Sequence, residues 1–143
     1  MDERDAENFR AHYEAGDRLA LLQVILLAGM FREPIPDWAA EAFKEAYEHV
    51  MRGGASSWDD VFGKPHPKGK HLRSIQQDHL KYTVHATVRY LVEKERAPID
   101  EGLFERVAQM MRIGQKTLIS RLYYEAEDSF RRVGNVGPNP KGE

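Results

Sequence analysis

The chain has no cysteine, so it has neither a disulfide framework nor a thiolate metal site. That composition fits a reducing compartment, and a cytoplasmic protein is expected. It also lacks a long apolar run. The longest, LALLQVILLAGMF at 19–31, spans 13 residues, contains Gln23, and is bracketed by Asp17-Arg18 and Arg32-Glu33. A membrane span needs about 20 apolar residues, so this stretch is expected to be a core helix or an oligomer interface, with no membrane partner. The opening DERDAENFR is not a basic segment followed by an apolar one, and no signal peptide is expected. No Gly-rich phosphate loop follows a strand, and no GxSxG is present. His79 and His85 are six apart and fall on different helix faces, whereas a metal pair on a helix is four apart. His66 and His71 share a loop with no carboxylate pair beside them. These gaps lead to the expectation of a non-enzyme with no metal and no cofactor.

What is present is charge and helical periodicity. With 143 residues the chain can bury a core unaided, and a single helical domain over 1–133 is expected, followed by a flexible Gly/Pro/Asn-rich tail at 134–143. The net charge of −2 hides a gradient. Residues 1–63 carry 6 Lys/Arg against 13 Asp/Glu, residues 64–96 carry 8 against 3 with four histidines, and residues 97–143 carry 7 against 7. A basic middle offers a face for phosphates; an acidic first half would repel them or attract a basic partner.

Breakers divide the chain into an all-α fold of five to six helices in a compact bundle. Residues 2–15 form one, with a thin stripe of Ala6, Phe9, His12 and Tyr13, ended by Gly16. Asp17 is the expected N-cap of the apolar helix 19–31, which Pro34 and Pro36 terminate. Asp37 is the expected cap of an amphipathic helix in which Trp38, Ala42, Phe43, Ala46, Tyr47, Val50 and Met51 recur every three or four residues. Gly53-Gly54 ends it. Ser56–Gly63 reads as one helical turn, with Ser57 and Asp60 as a capping box and Trp58, Val61 and Phe62 plugging the core. Residues 64–71, KPHPKGKH, read as a basic loop. From Leu72 to Glu95 nothing interrupts a long helix, and Ala97-Pro98 stops it. Asp100 caps a helix to about Arg112, and a last helix follows from about Gln115 to Arg131.

The stretch LFERVAQMMRIGQKTLISRLYY, 103–124, is the one that looks like a functional device. Ala108 offers a small contact for a close crossing, Val107 and Met111 an inner face, Ile113 an apolar residue after the turn, and Leu118 and Leu122 the inner face of the second helix. Gln115, Lys116, Thr117, Ser120, Arg121 and Tyr124 are left for the outer surface. Arg and Gln can read base edges, while Lys, Thr, Ser and Tyr can hold phosphates. Lys68 and Lys70 of the basic loop could extend that surface.

This pattern, VAQMMRIGQKTLISRLY at 107–123, resembles the helix-turn-helix DNA-binding proteins of bacteria and their phages, over about a tenth of the chain. The resemblance implies a C-terminal helix-turn-helix-like unit at about 100–131, with Thr117-Leu118-Ile119-Ser120-Arg121 opening a recognition helix. It also implies a regulator of transcription that binds double-stranded DNA, commonly as a homodimer. Many members place Gly at the turn where Arg112 stands here, so the outward positions can shift by one residue. The stretch from WDDVFGKPHPKGKH to IGQKTLISRLYYEAE also looks like small bacterial or mobile-element proteins, which implies no activity. Any helical hairpin needs small and apolar residues at such spacings. A helical adaptor or inhibitor that binds a basic protein partner, and no DNA, is therefore the alternative reading.

Overall fold

A computed structural model describes residues 1–63 and 72–136, with the backbone alone at 72–78 and 133–136. Among the described residues the structure is helical, with no strand. The helices are α1 (Glu3–Glu14), α2 (Leu19–Phe31), α3 (Asp37–Met51), α4 (Asp59–Phe62), α5 (Leu72–Glu95), α6 (Glu101–Met110) and α7 (Lys116–Val136). That is seven where five to six were expected. The surplus is the four-residue α4, which the sequence presented as a turn. Where one domain over 1–133 was expected from length, the chain divides into two compact units, Met1–Ile75 and Gln76–Glu143. Helix α7 runs to Val136, so the first three residues of the expected tail are helical; residues 137–143 lie outside the described part.

In the first unit α2 is the hub, packing against α1, α3 and α4. Its buried side chains Ala20, Leu21, Val24, Leu27, Ala28 and Phe31 follow the three-and-four spacing of one broad helix face. Phe9 of α1 and Ala39, Ala42 and Ala46 of α3 complete this core. Leu22 and Leu26, on the opposite side of α2, are exposed. The residues that immediately precede the helices are Arg18 for α2 and Pro36 for α3, neither with a side-chain cap bond, where Asp17 and Asp37 were expected. Asp37 instead sits inside the first turn of α3, where a carboxylate is still favoured by the helix dipole. The Ser57–Asp60 pairing is half realised, with Asp60 Oδ2 accepting from the Ser57 amide at 3.3 Å and the Ser56 amide at 3.1 Å.

Helix ends share one device. After α1, α2, α3 and α6, an amide bonds back to the carbonyl five residues earlier, while the preceding amide bonds to the carbonyl three earlier. These are Schellman ends, which require a left-handed residue at the turn. Gly16 and Gly53 supply it after α1 and α3, and Arg32 and Arg112 after α2 and α6.

In the second unit, α6 and α7 pack directly on each other. The core contains Val84, Val88 and Leu91 of α5, Leu103, Phe104, Val107 and Ala108 of α6, and Ile119, Leu122 and Tyr123 of α7. Six consecutive residues of α5, Thr83 to Val88, are buried. The threonine hydroxyls are satisfied within the helix, Thr83 donating to the His79 carbonyl at 3.2 Å and Thr87 to that of Thr83 at 2.8 Å. His85 is wholly buried, and its Nε2 lies 2.5 Å from Glu127 Oε2 on α7. Its ring stacks on Tyr123 with centroids 5.0 Å apart and tilts against Phe130 at 4.8 Å. Burial pushes the Tyr123 phenol up from its ordinary pKa, and a hydrogen bond with Arg89 pulls it partly back.

Two expected outcomes follow from this packing. His85→Ala removes a ring from a filled site and leaves the Glu127 carboxylate without its imidazole. A loss of about 3 kcal/mol in urea unfolding is expected, with a smaller loss for Glu127→Gln, which keeps a hydrogen-bonding group. Equal losses would show that ring packing and the pair do not matter separately. Gly29 is exposed inside α2, and a methyl group added there would meet nothing within 4 Å. Gly29→Ala is therefore expected to raise stability by roughly 0.5–1 kcal/mol through helix propensity alone.

Candidate nucleic-acid interface

The segment joining α6 to α7 is built from a cap, a tight stop and a fresh start. Asp100 Oδ1 accepts from the Leu103 amide at 2.9 Å and fixes where α6 begins. At the other end the Ile113 amide donates to the Ala108 carbonyl at 2.8 Å and the Arg112 amide to Gln109 at 3.2 Å. Arg112 itself has φ 56°, the left-handed conformation. So the residue standing at the usual glycine position adopts the backbone geometry a glycine would serve. Ile113, just beyond, packs against the core together with Met111 and Leu118, which is the apolar contact such ends commonly carry.

The inner face of α7 differs by one position from the expected one. Leu122 is buried as expected, but Leu118 is only half-buried, and Ile119, Tyr123 and Ala126 complete the inner face. Ile119, Leu122, Tyr123 and Ala126 follow the three-and-four spacing, which was readable in the sequence. What the sequence did not settle was the length of the turn that sets their phase.

The proposed outer residues divide accordingly. Gln115, Lys116, Thr117, Arg121 and Tyr124 are exposed, and Ser120 is half-buried with its hydroxyl donating to the Thr117 carbonyl at 3.1 Å. Tyr124 leans its ring edge-on to Phe104 and Tyr123, with centroids 6.0 and 5.1 Å away. Arg121 pairs with Glu125 at 3.4 Å, and Lys116 with Glu101 at 3.9 Å. Arg112 is exposed at the turn, and no acid lies in the first turn of α7. Lys68 and Lys70 lie outside the described residues.

Elsewhere, Arg106 and Glu95 form a two-bonded pair at 2.5 and 2.7 Å, and the hydrogen bonds from Arg106 hold the Glu95 carboxyl below its ordinary pKa. Among the described residues no three His, Asp or Glu side chains converge as metal ligands, and no helix is long and apolar enough to cross a membrane.

Comparison with protein-family models, curated proteins and solved structures finds no match to this chain.

The left-handed arginine gives a direct test of the turn. An L-residue in that conformation costs about 1–2 kcal/mol, partly balanced by the entropy glycine would lose. Arg112→Gly is therefore expected to raise the unfolding free energy by up to about 1 kcal/mol, and Arg112→Val to lower it by more than that. A destabilised glycine variant would mean that side-chain contacts of Arg112, rather than its backbone, hold the turn.

Proposed function

We propose that α6, the Arg112 turn and α7 act as a helix-turn-helix that contacts double-stranded DNA, in a small regulator of transcription. The observation that carries this reading is the left-handed stop at Arg112. Together with buried Ala108 and half-buried Ile113, it leaves Gln115, Lys116, Thr117 and Arg121 exposed over the first turns of α7. Gln115 and Arg121 have the chemistry to read base edges. Lys116 and Thr117 hold phosphate, beside the unpaired amides at the start of the helix. Tyr124 offers a hydroxyl at the edge of this face, while Ser120 is turned back toward its own helix.

The acids beside these cations do not decide against the reading. An exposed pair such as Arg121–Glu125 is worth about 0.3–0.5 kcal/mol. A phosphate contact that releases a counterion outweighs it at low salt. A homodimer would present two such helices to successive turns of the major groove. A second reading, a helical protein-interaction module without DNA affinity, is favoured by the acidity of residues 1–63.

Retention on nonspecific duplex DNA across a salt series separates the two readings. Salt-dependent retention is expected for the wild type. Lys116→Ala with Arg121→Ala should weaken it and reduce the log–log salt slope by about two, at an unchanged melting temperature. If wild type is not retained at low salt, or the double variant binds as well as wild type, the DNA assignment to this face fails.

A further inference from the structure

A separate surface lies on the first unit. Phe43, Tyr47 and Met51 sit four residues apart along α3 and form one ridge, about 12 Å long at 1.5 Å per residue. Trp58 stacks on Tyr47 with centroids 5.8 Å apart, and Phe62 stacks on Trp58 at 6.0 Å and on Phe43 at 5.6 Å. The rings therefore hold one another in place. Yet Phe43, Tyr47, Trp58 and Met51 remain 42, 47, 46 and 62% exposed. Large apolar side chains clustered in this way mark an interaction surface, whereas single exposed ones do not.

Charge and area together select the occupant. At 3.6 residues per turn, successive side chains leave α3 about 100° apart. Glu41 and Glu45 thus emerge about 120° and 160° round from Tyr47 and do not border the ridge. Lys44 and Glu48 do border it, about 60° and 100° round on one side. Helix α4 packs on α2 as well as on α3, so Trp58 and Phe62 flank the ridge on the other side. Lys44 Nζ lies 3.2 Å from Glu48 Oε2. The border thus holds one cation and one anion, and its net charge favours neither an acidic nor a basic partner. The three exposed rings and Met51, each about half in solvent, leave about 100 Å² apiece. Two copies meeting through this face would cover roughly 800 Å² of apolar surface. With the polar rim added, the contact reaches the range of about 1,000–1,200 Å² where specific, weak association begins.

We propose that this ridge pairs with the same ridge of a second copy, the two α3 helices running antiparallel about a two-fold axis beside Tyr47. A two-fold interface is made of one patch used twice, so the patch must complement itself. Antiparallel pairing meets that condition. Tyr47 lies on the axis against the partner's Tyr47, and Phe43 lies against the partner's Met51, a sulfur–aromatic contact. Lys44 stands three residues before the axis and Glu48 one residue after it. The two-fold therefore carries the partner's Glu48 to about 3 Å along the helix from Lys44, on the same side of the seam. Lys44 and Glu48 then bridge the two copies twice. A parallel arrangement puts them on opposite sides of the seam and loses both bridges. The first unit as a whole opposes the contact at long range, because residues 1–63 carry 6 Lys/Arg against 13 Asp/Glu, and salt relieves that repulsion. The contact is independent of the α7 face and holds whether or not that face binds DNA.

Sedimentation of the full chain over a concentration series tests the pairing. A reversible monomer–dimer equilibrium is expected, and it should tighten as salt rises. Tyr47→Ser with Met51→Ser should weaken association at least tenfold, at an unchanged melting temperature because both side chains are exposed. Lys44→Glu and Glu48→Lys each set like charges across the seam, and each should weaken association several-fold. An equimolar mixture of those two variants restores opposite charges in the mixed dimer and should recover the association of the wild type. A merely structural role for Lys44 or Glu48 would give no such recovery. Lys116→Ala with Arg121→Ala should leave the equilibrium untouched, which separates this surface from the DNA face. A chain that stays monomeric at every concentration and salt, a dimer indifferent to the Tyr47 and Met51 changes, or a charge-swapped mixture no better associated than its components would each overturn the proposal.

Discussion

The contact between His85 and Glu127 is the constraint on which the second unit turns. One partner lies in the middle of α5 and the other on α7, 42 residues later. Tyr123, Glu127 and Phe130 are spaced four and three apart, so all three side chains leave α7 on the same side and meet the same imidazole. A buried imidazole needs a hydrogen-bonding partner, and the ring stack fixes its plane. Together these set the rotation of α7 about its own axis. With Tyr123 inward, Thr117, Arg121 and Asp128 point the other way by helical geometry alone. The candidate DNA face is thus set from the far side of the helix, by a polar pair that contributes nothing to that face directly.

Among the described residues, the three non-glycine residues with positive φ, Arg32, Arg96 and Arg112, are all arginines that follow helices. Any side chain with a β-carbon pays about 1–2 kcal/mol for this conformation. A cation after the last turn recovers some of it, because unsatisfied carbonyls leave partial negative charge there, worth about 0.3–1 kcal/mol at the surface. Glycine avoids the cost but offers no such charge. The trade explains how the tight stop between α6 and α7 can stand on arginine at Arg112, and why the absence of glycine there says little about the turn.

Much of the architecture was legible because breakers are local. Pro34 and Pro36, Gly53-Gly54, Ala97-Pro98 and Gly114 bound the helices close to where the chain bends, and Asp100 caps α6 as its spacing suggests. Rotational phase was less legible. Leu118 and Ile119 compete for the inner face of α7, and the winner depends on how many residues the turn consumes. The burial of Thr83 and His85 was also hidden, because it rests on a hydroxyl bonding back to an i−4 carbonyl and on a partner 42 residues away. Trp58 was expected to fill the core. It is exposed instead, and of the four-residue α4 only Val61 is buried.

Charge decides what kind of DNA contact the α7 face could make. Near the turn, Arg112, Lys116 and Arg121 are offset by Glu101, Glu125 and Asp128. A face so balanced gains little from long-range attraction, and nonspecific affinity, which is almost wholly electrostatic, would be confined to low salt. Tight binding at higher salt would have to come from contacts made only at the right sequence. Gln115 and Arg121 would be seated on base edges, with the local ion pairs broken at a cost of a few tenths of a kcal/mol each. A neutral reading face is thus compatible with specificity and not with tight coating of DNA.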